Sequence, residues 1–71
     1  MKFENVYEAE KLLKAYRRNA TKLYDLQEGL KQLYGRTDIP NIEDVKAHQM
    51  RKIQEVIDKN RVIIDKIEDL D

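Results

Sequence analysis

The residues in this sequence that could do chemistry are one histidine, a group of carboxylates and a line of basic side chains. His48 is the only histidine, and Asp44 lies one helical turn before it, so the two could supply half of a metal site. A stable zinc site takes three or four ligands, and the spacing offers no second histidine. A surface histidine paired with an upstream acid is the favoured interpretation, and we expect no bound metal.

Carboxylates gather towards the two ends of the chain, where paired acids could act as general acid and base or bind a divalent ion. If the chain folds back on itself, they meet at one end. They are Glu8, Glu10, Asp65, Glu68, Asp69 and Asp71. Lys2, Lys11 and Lys14 lie close enough to neutralise them, so a solvated charged end is the expected role.

A basic line follows helical spacing in the first half of the chain. Its members are Lys11, Lys14, Arg17, Arg18 and Lys22. With Asn19 and Tyr24 nearby, such a line could bind RNA or DNA, and a second copy in a dimer would double the contact. Glu10 and Asp25 bracket the line and the net charge of the chain is zero. A solvated helix face is therefore the favoured interpretation, and nucleic-acid binding is the alternative.

Two common nucleophiles of covalent catalysis are missing. The sequence has no serine and no cysteine, and its two glycines, Gly29 and Gly35, do not form a phosphate-binding loop. We therefore expect a non-catalytic protein without a cofactor. No uncharged apolar segment approaches the ~20 residues that span a bilayer, so we expect a cytoplasmic protein that does not contact the membrane.

Two long helical patterns fill almost the whole chain, on either side of a break from Gly35 to Pro40. Apolar residues at steps of three and four predict helices over about 6–34 and 42–70. The first stripe is Val6, Ala9, Leu13, Tyr16, Ala20, Leu23, Leu30 and Tyr34, widened by Leu12, Leu26 and Leu33. The second is Ile42, Met50, Ile53, Val56, Ile57, Ile63, Ile64, Ile67 and Leu70. Asn5 and Asn41 are the predicted N-caps.

The short connection makes the two helices antiparallel neighbours, so the predicted fold is an all-α two-helix hairpin in a single domain, 1–71. Residues 1–36 carry eight Lys and Arg against five Asp and Glu, whereas residues 37–71 carry six against nine. The two halves therefore attract each other. Reflection about the turn pairs residues whose numbers add to about 76, which places Gln27 opposite Gln49 and Asn60 near Tyr16.

Each apolar stripe is wider than the seam that one hairpin can bury. We therefore expect two hairpins to pair by twofold symmetry into a four-helix bundle, with another protein as the competing occupant of the groove. The predicted protein interface consists of Leu12, Tyr16, Leu23, Tyr24, Leu26, Tyr34, Val56 and Ile63.

These patterns predict a small interaction or regulatory protein that binds another protein, with a dimeric RNA- or DNA-binding regulator as the alternative. The hairpin plan resembles that of the small dimeric RNA-binding modulators of plasmid copy number. The composition is similar to that of accessory proteins of phages and mobile elements. Both resemblances concern architecture and composition, and neither assigns a role to a residue.

Overall fold

The protein is a pair of antiparallel helices joined by a short turn, as seen in a computed structural model that describes residues 2–70. Helix α1 spans Phe3–Leu33 and helix α2 spans Ile42–Asp69. The Cα atoms of the hairpin extend over 55 × 15 × 11 Å, so it is a single layer of two helices. The predicted all-α hairpin is confirmed. Neither helix is both long and apolar enough, over the described residues, to cross a membrane.

The two helices meet along a continuous seam. Its positions alternate in steps of four and three, which is the spacing of a coiled coil. They are Asn5, Ala9, Leu12, Tyr16, Asn19, Leu23, Leu26, Leu30 and Leu33 on α1, and Ile42, Lys46, Gln49, Ile53, Val56, Asn60, Ile63, Ile67 and Leu70 on α2. All of these residues are half-buried or buried, so the spacing and the observed burial identify the same face of each helix.

Two hydrogen bonds show how the helices are aligned. The side-chain amide of Asn5 donates to the carbonyl of Leu70, and Nε2 of Gln49 donates to the carbonyl of Leu26 at 3.0 Å. The residue numbers of each pair add to 75, within one residue of the predicted alignment. The observed and predicted alignments differ by one residue but place the same seam residues opposite each other. Opposite seam residues have numbers that add alternately to 75 and 76 along the hairpin.

The apolar residues of α1 that α2 covers are only in part the ones that the predicted main stripe contains. Leu12, Leu26 and Leu33 lie in the seam, whereas Leu13 and Tyr34, which the sequence analysis assigned to the main stripe, are exposed beside it. Both rows satisfy the three-four spacing, because consecutive residues are only about 100° apart on a helix. Only alignment with α2 decides which row is covered.

Helix α1 begins earlier than predicted, and its first cap is different. Lys2 occupies the N-cap position without a side-chain hydrogen bond to the helix. The prediction that Asn5 caps this helix is wrong, since Asn5 lies within α1 and donates its amide to Leu70. A residue type that favours caps is here used for a contact between the two helices, which local sequence cannot reveal.

Helix α2 begins where predicted, with Asn41 at its N-cap. Asn41 has a left-handed backbone, with φ of 59°, and makes no side-chain cap. Asparagine tolerates this conformation better than most residues. Its carbonyl instead accepts the amides of Asp44 and Val45. The left-handed backbone conformation at the end of the turn is thus adopted by asparagine, a residue type that tolerates it.

The turn also contains an exposed ion pair. Nε and Nη2 of Arg36 donate to the two carboxylate oxygens of Asp38, each at 3.0 Å. These hydrogen bonds lower the pKa of Asp38 and raise the pKa of Arg36. Because both side chains are exposed, the pair contributes little to overall stability.

Asn60 is a buried polar side chain in the seam. It is 8% exposed, and its Oδ1 atom has no hydrogen-bond partner among the described residues. An unsatisfied buried acceptor costs stability. A polar residue at such a position can also fix the alignment of a coiled coil. Asn60 would therefore lower the stability of the hairpin but favour one alignment of the two helices.

We expect Asn60→Leu to raise the free energy of unfolding by about 1–3 kcal/mol, because it removes the unpaired amide. In a domain of this size, each kcal/mol shifts the melting temperature by roughly 4–8 °C. Thermal unfolding followed by circular dichroism at one fixed protein concentration measures the change. Lys59→Leu, at an exposed neighbouring position, is the control. A lower melting temperature for Asn60→Leu would mean that the amide is hydrogen-bonded in solution.

Candidate functional site

Six of the eight residues predicted as a protein interface lie in the seam. They are Leu12, Tyr16, Leu23, Leu26, Val56 and Ile63. Their positions face the other helix of the same chain, and Val56 is only 3% exposed. These residues pack between the two helices, so the more exposed surface available to a second molecule consists mainly of other residues.

The other two predicted interface residues, Tyr24 and Tyr34, are exposed. Their separation of ten residues puts them about 80° apart around the axis of α1. Tyr34 lies beside the seam, with Nζ of Lys46 4.6 Å from the centre of its ring. Tyr24 lies farther from the seam, so the two tyrosines do not form one contact surface.

An apolar surface runs along one flank of the seam. Its residues each follow a seam position by one and recur every seven residues on both helices. They are Val6, Leu13, Ala20 and Tyr34 on α1, and Met50, Ile57 and Ile64 on α2. Leu13, Met50 and Ile64 are 42%, 50% and 41% exposed. Since antiparallel pairing brings these two flanks side by side, the two rows form one surface, the apolar face.

The apolar face becomes more polar towards the turn. Two residues at the same height along the hairpin, one on each helix, form one level of this face. Leu13 and Ile64 form the level near the end of the hairpin where Asn5 meets Leu70. In the middle, Ala20 lies level with Ile57. Nearer the turn the levels contain polar residues, with Gln27 beside Met50 and Tyr34 beside Glu43. The face is therefore apolar in the half that lies away from the turn and mixed in the other half.

The polar end of the apolar face is organised around Lys46. This lysine occupies a seam position, and its ammonium group reaches the edge of the hairpin, where Nζ lies 3.4 Å from Oε1 of Glu43. The same ammonium group stacks over the ring of Tyr34, a favourable contact between a cation and an aromatic face. A seam lysine thus places a charged cluster on the surface.

The opposite flank of the seam carries lysines from both helices. Lys22, Lys52 and Lys59 line a shallow groove of about 250 Å³, together with Leu26, Glu55 and Val56. Three ammonium groups against one carboxylate make this lysine groove locally positive. The predicted basic line contains residues of a single helix and therefore omits the lysines of α2. The seven-residue interval between Lys52 and Lys59 was the available signal.

The predicted basic line does not form one surface. Lys22 lines the lysine groove, whereas Lys14 and Arg17 line a separate depression with Glu10 and Leu13. Lys11 stacks on the ring of Tyr7, with Nζ 4.7 Å from its centre. Lys11, Lys14, Arg17, Arg18 and Lys22 are all exposed. They wrap around α1, and only Lys22 lines the groove to which α2 contributes.

The acids at the end of the hairpin lie on its surface. Glu8, Glu10, Asp65, Glu68 and Asp69 are all exposed, and Asp71 lies outside the described residues. His48 is exposed as well. Within residues 2–70, no group of three or more histidine, aspartate or glutamate side chains is arranged to hold a metal ion.

The fold and its surfaces define an antiparallel two-helix coiled coil with one apolar flank and one basic flank. Comparison of the chain with protein-family models, characterised proteins and solved structures finds no match. The apolar face and the lysine groove are therefore the two features from which a function can be inferred.

Proposed function

We propose that the protein is a non-catalytic interaction protein that acts as a homodimer, in which two hairpins pair through their apolar faces to form a four-helix bundle. The apolar face is the observation that supports this proposal, because all of its residues except the half-buried Ile57 are exposed in the hairpin. Monomeric proteins rarely expose a continuous apolar patch of more than a few hundred Å², so a second molecule is expected to cover it.

The broad side of the hairpin, on which the apolar face lies, is large enough for a dimer interface. The broad side of the hairpin is 55 Å long and 15 Å wide. The product of these two Cα extents is about 800 Å², so the broad side as a whole, with its apolar and polar residues, is comparable to the area that each partner buries in a standard protein interface. A second copy of the same length could therefore cover the face along its whole extent.

The small core of one hairpin supports the same proposal. Val56 is the only hydrophobic residue among those described that is buried rather than half-buried or exposed, and the 71-residue chain has no cysteine with which to form disulfides. Small domains of this kind commonly gain stability from oligomerisation. Pairing through the apolar face would provide the hydrophobic burial that the isolated hairpin lacks.

In the proposed dimer the outer surfaces remain free to bind another protein. Tyr24 lies outside the apolar face and is exposed, and tyrosine often contributes strongly to protein interfaces. The surrounding charged side chains would favour one partner over another. The proposed role is thus that of a small regulator or adaptor, with the dimer as the binding unit.

Sedimentation equilibrium at tens of micromolar tests the proposed dimer. We expect a mass of twice the 8.5 kDa of the chain. A mass equal to one chain throughout this range would contradict the proposal. Circular dichroism on the same samples establishes whether the species that sediments is helical.

A dimeric nucleic-acid-binding regulator is the second candidate, and the lysine groove is the observation that favours it. The groove lies on the flank opposite the apolar face, so pairing through the apolar faces would leave both grooves exposed on the outside of the bundle. Lysines from two helices in one groove could contact successive phosphates of RNA or DNA. No aromatic residue lines the groove, so binding would depend on the backbone of the nucleic acid.

We expect the double substitution Lys52→Glu and Lys59→Glu to weaken nucleic-acid binding at least tenfold, because it removes phosphate contacts and adds repulsion. Arg51→Glu with Arg61→Glu is the matched control, since it makes the same change in charge at exposed positions outside the groove. Fluorescence anisotropy with labelled RNA and DNA duplexes at several salt concentrations measures binding. Equal losses in both variants would exclude the groove as the binding site, and no binding by the unaltered protein would exclude this function.

A further inference from the structure

We infer from the gradient along the apolar face that the two hairpins pair with their turns at the same end of the bundle. This inference rests on the proposed dimer and adds the orientation of the second copy and the residues that meet it. The inference is based on the positions of the apolar and the polar residues along this face.

Twofold symmetry offers two ways to stack the hairpins face to face with all neighbouring helices antiparallel. In the first, the symmetry axis runs along the helices, both turns lie at one end, and α1 packs on α2 of the second copy. In the second, the axis crosses the helices, the turns lie at opposite ends, and α1 packs on α1 of the second copy. The two arrangements bury the same face but bring different levels together.

With the turns together, each level meets the same level of the second copy. Leu13 then packs against Ile64 of the second copy, and the small side chain of Ala20 receives the larger Ile57. Apolar levels cover apolar levels, and large residues oppose small ones, as close packing requires. The two copies of Gln27 share one level, where their amides can hydrogen-bond to each other.

With the turns at opposite ends, unlike levels meet. If the two faces overlap fully, Gln27 is pressed against Leu13 of the second copy, which offers no hydrogen-bond partner. Burying an amide without a partner is unfavourable, and symmetry repeats the cost. Keeping the amide in water would require the two hairpins to slide apart, and much of the apolar face would then remain exposed.

The charged cluster at the turn favours the same arrangement. Lys46 lies 3.4 Å from Glu43 and stacks over Tyr34. With the turns together, this cluster faces the same cluster of the second copy, and each ammonium group can approach a carboxylate of that copy. With the turns apart, the cluster lies against Val6, so two charges would lose water against an apolar side chain.

A single spin label in each chain can measure the orientation, since the natural sequence contains no cysteine. Thr37→Cys places the label in the exposed turn, outside both helices. With the turns together, we expect the labels to lie within about 30 Å of each other, because packed helix axes are only ~8–10 Å apart. With the turns apart, their separation approaches the 55 Å length of the hairpin.

Thr21→Cys provides the matched control, because Thr21 is exposed near the middle of α1 and lies close to its copy in either arrangement. Pulsed dipolar spectroscopy reads both distances. Short distances at both positions support the inference. A short distance at residue 21 with a long one at residue 37 overturns the orientation but leaves the dimer in place. The absence of dipolar coupling at both positions overturns the dimer and, with it, the proposed function.

Discussion

Val56→Lys is expected to unfold the hairpin at room temperature. Val56 is 3% exposed in the seam, so a lysine there is too large for its site and loses much of its water. Lys22 and Lys52 line the adjacent groove and carry the same charge. Introducing an uncompensated buried charge costs about 3–5 kcal/mol, which equals most of what the core of such a small domain supplies.

Val62→Lys is the matched control for this experiment, because Val62 lies on the same helix and is 51% exposed. We expect this control to melt within a few degrees of the unaltered protein, since surface substitutions typically change stability by less than about 0.5 kcal/mol. Circular dichroism at 222 nm during heating measures both variants. Similar melting of the two would contradict the assignment of Val56 to the seam.

Leu13→Lys combined with Ile64→Lys is expected to separate the proposed dimer into monomers. Both side chains are partly exposed in one hairpin, so a lysine can extend into water when no second copy is present. In the dimer, four like charges would be brought together and buried, at a cost of several kcal/mol. A loss of about 4 kcal/mol corresponds to a roughly 1,000-fold weaker association.

Sedimentation measures the dissociation, and circular dichroism shows whether the monomer stays helical. Tyr7→Lys combined with Tyr24→Lys is the control, because both tyrosines are exposed and lie outside the apolar face. It adds the same charge and should leave the dimer intact. If the control dissociates and the Leu13 and Ile64 variant does not, the interface lies on the outer surface of α1.

The helices and their pairing could be predicted from the sequence, because the signals are local or follow from the short turn. The break between Gly35 and Pro40 separated two periodic segments, and Asn41 marked the start of α2 at the correct residue. Reflection about the turn gave the alignment to within one residue of that shown by Gln49 and Leu26. A connection this short leaves antiparallel neighbours as the only simple arrangement.

The division of apolar residues between seam and surface could not be predicted in the same way. Leu12 and Leu13 are adjacent and chemically identical, and both fit a helical stripe. Only the position of α2 decides that Leu12 is covered and Leu13 is exposed. For this reason, six residues assigned to a partner interface turned out to lie between the two helices of one chain.

The lysine groove was missed for a related reason. Lys22 and Lys52 are thirty residues apart in the sequence and meet only because the chain folds back on itself. Asn5 shows the same limit at the end of the hairpin, where a typical capping residue bonds to α2 instead. Sites made by two helices become visible only once their relative position is known.

The single-layer shape of the hairpin has a consequence for how the protein would behave in a cell. Val56 and Asn60 are the only buried residues among those described, so folding and self-association become coupled if the proposed dimer forms. Dimer formation depends on the square of the monomer concentration, so the folded fraction falls on dilution. Halving the rate of synthesis would then remove more than half of the active dimer. The chains that no longer fold would be open to proteolysis. The expression level itself would set a threshold for activity, without a ligand or a modifying enzyme.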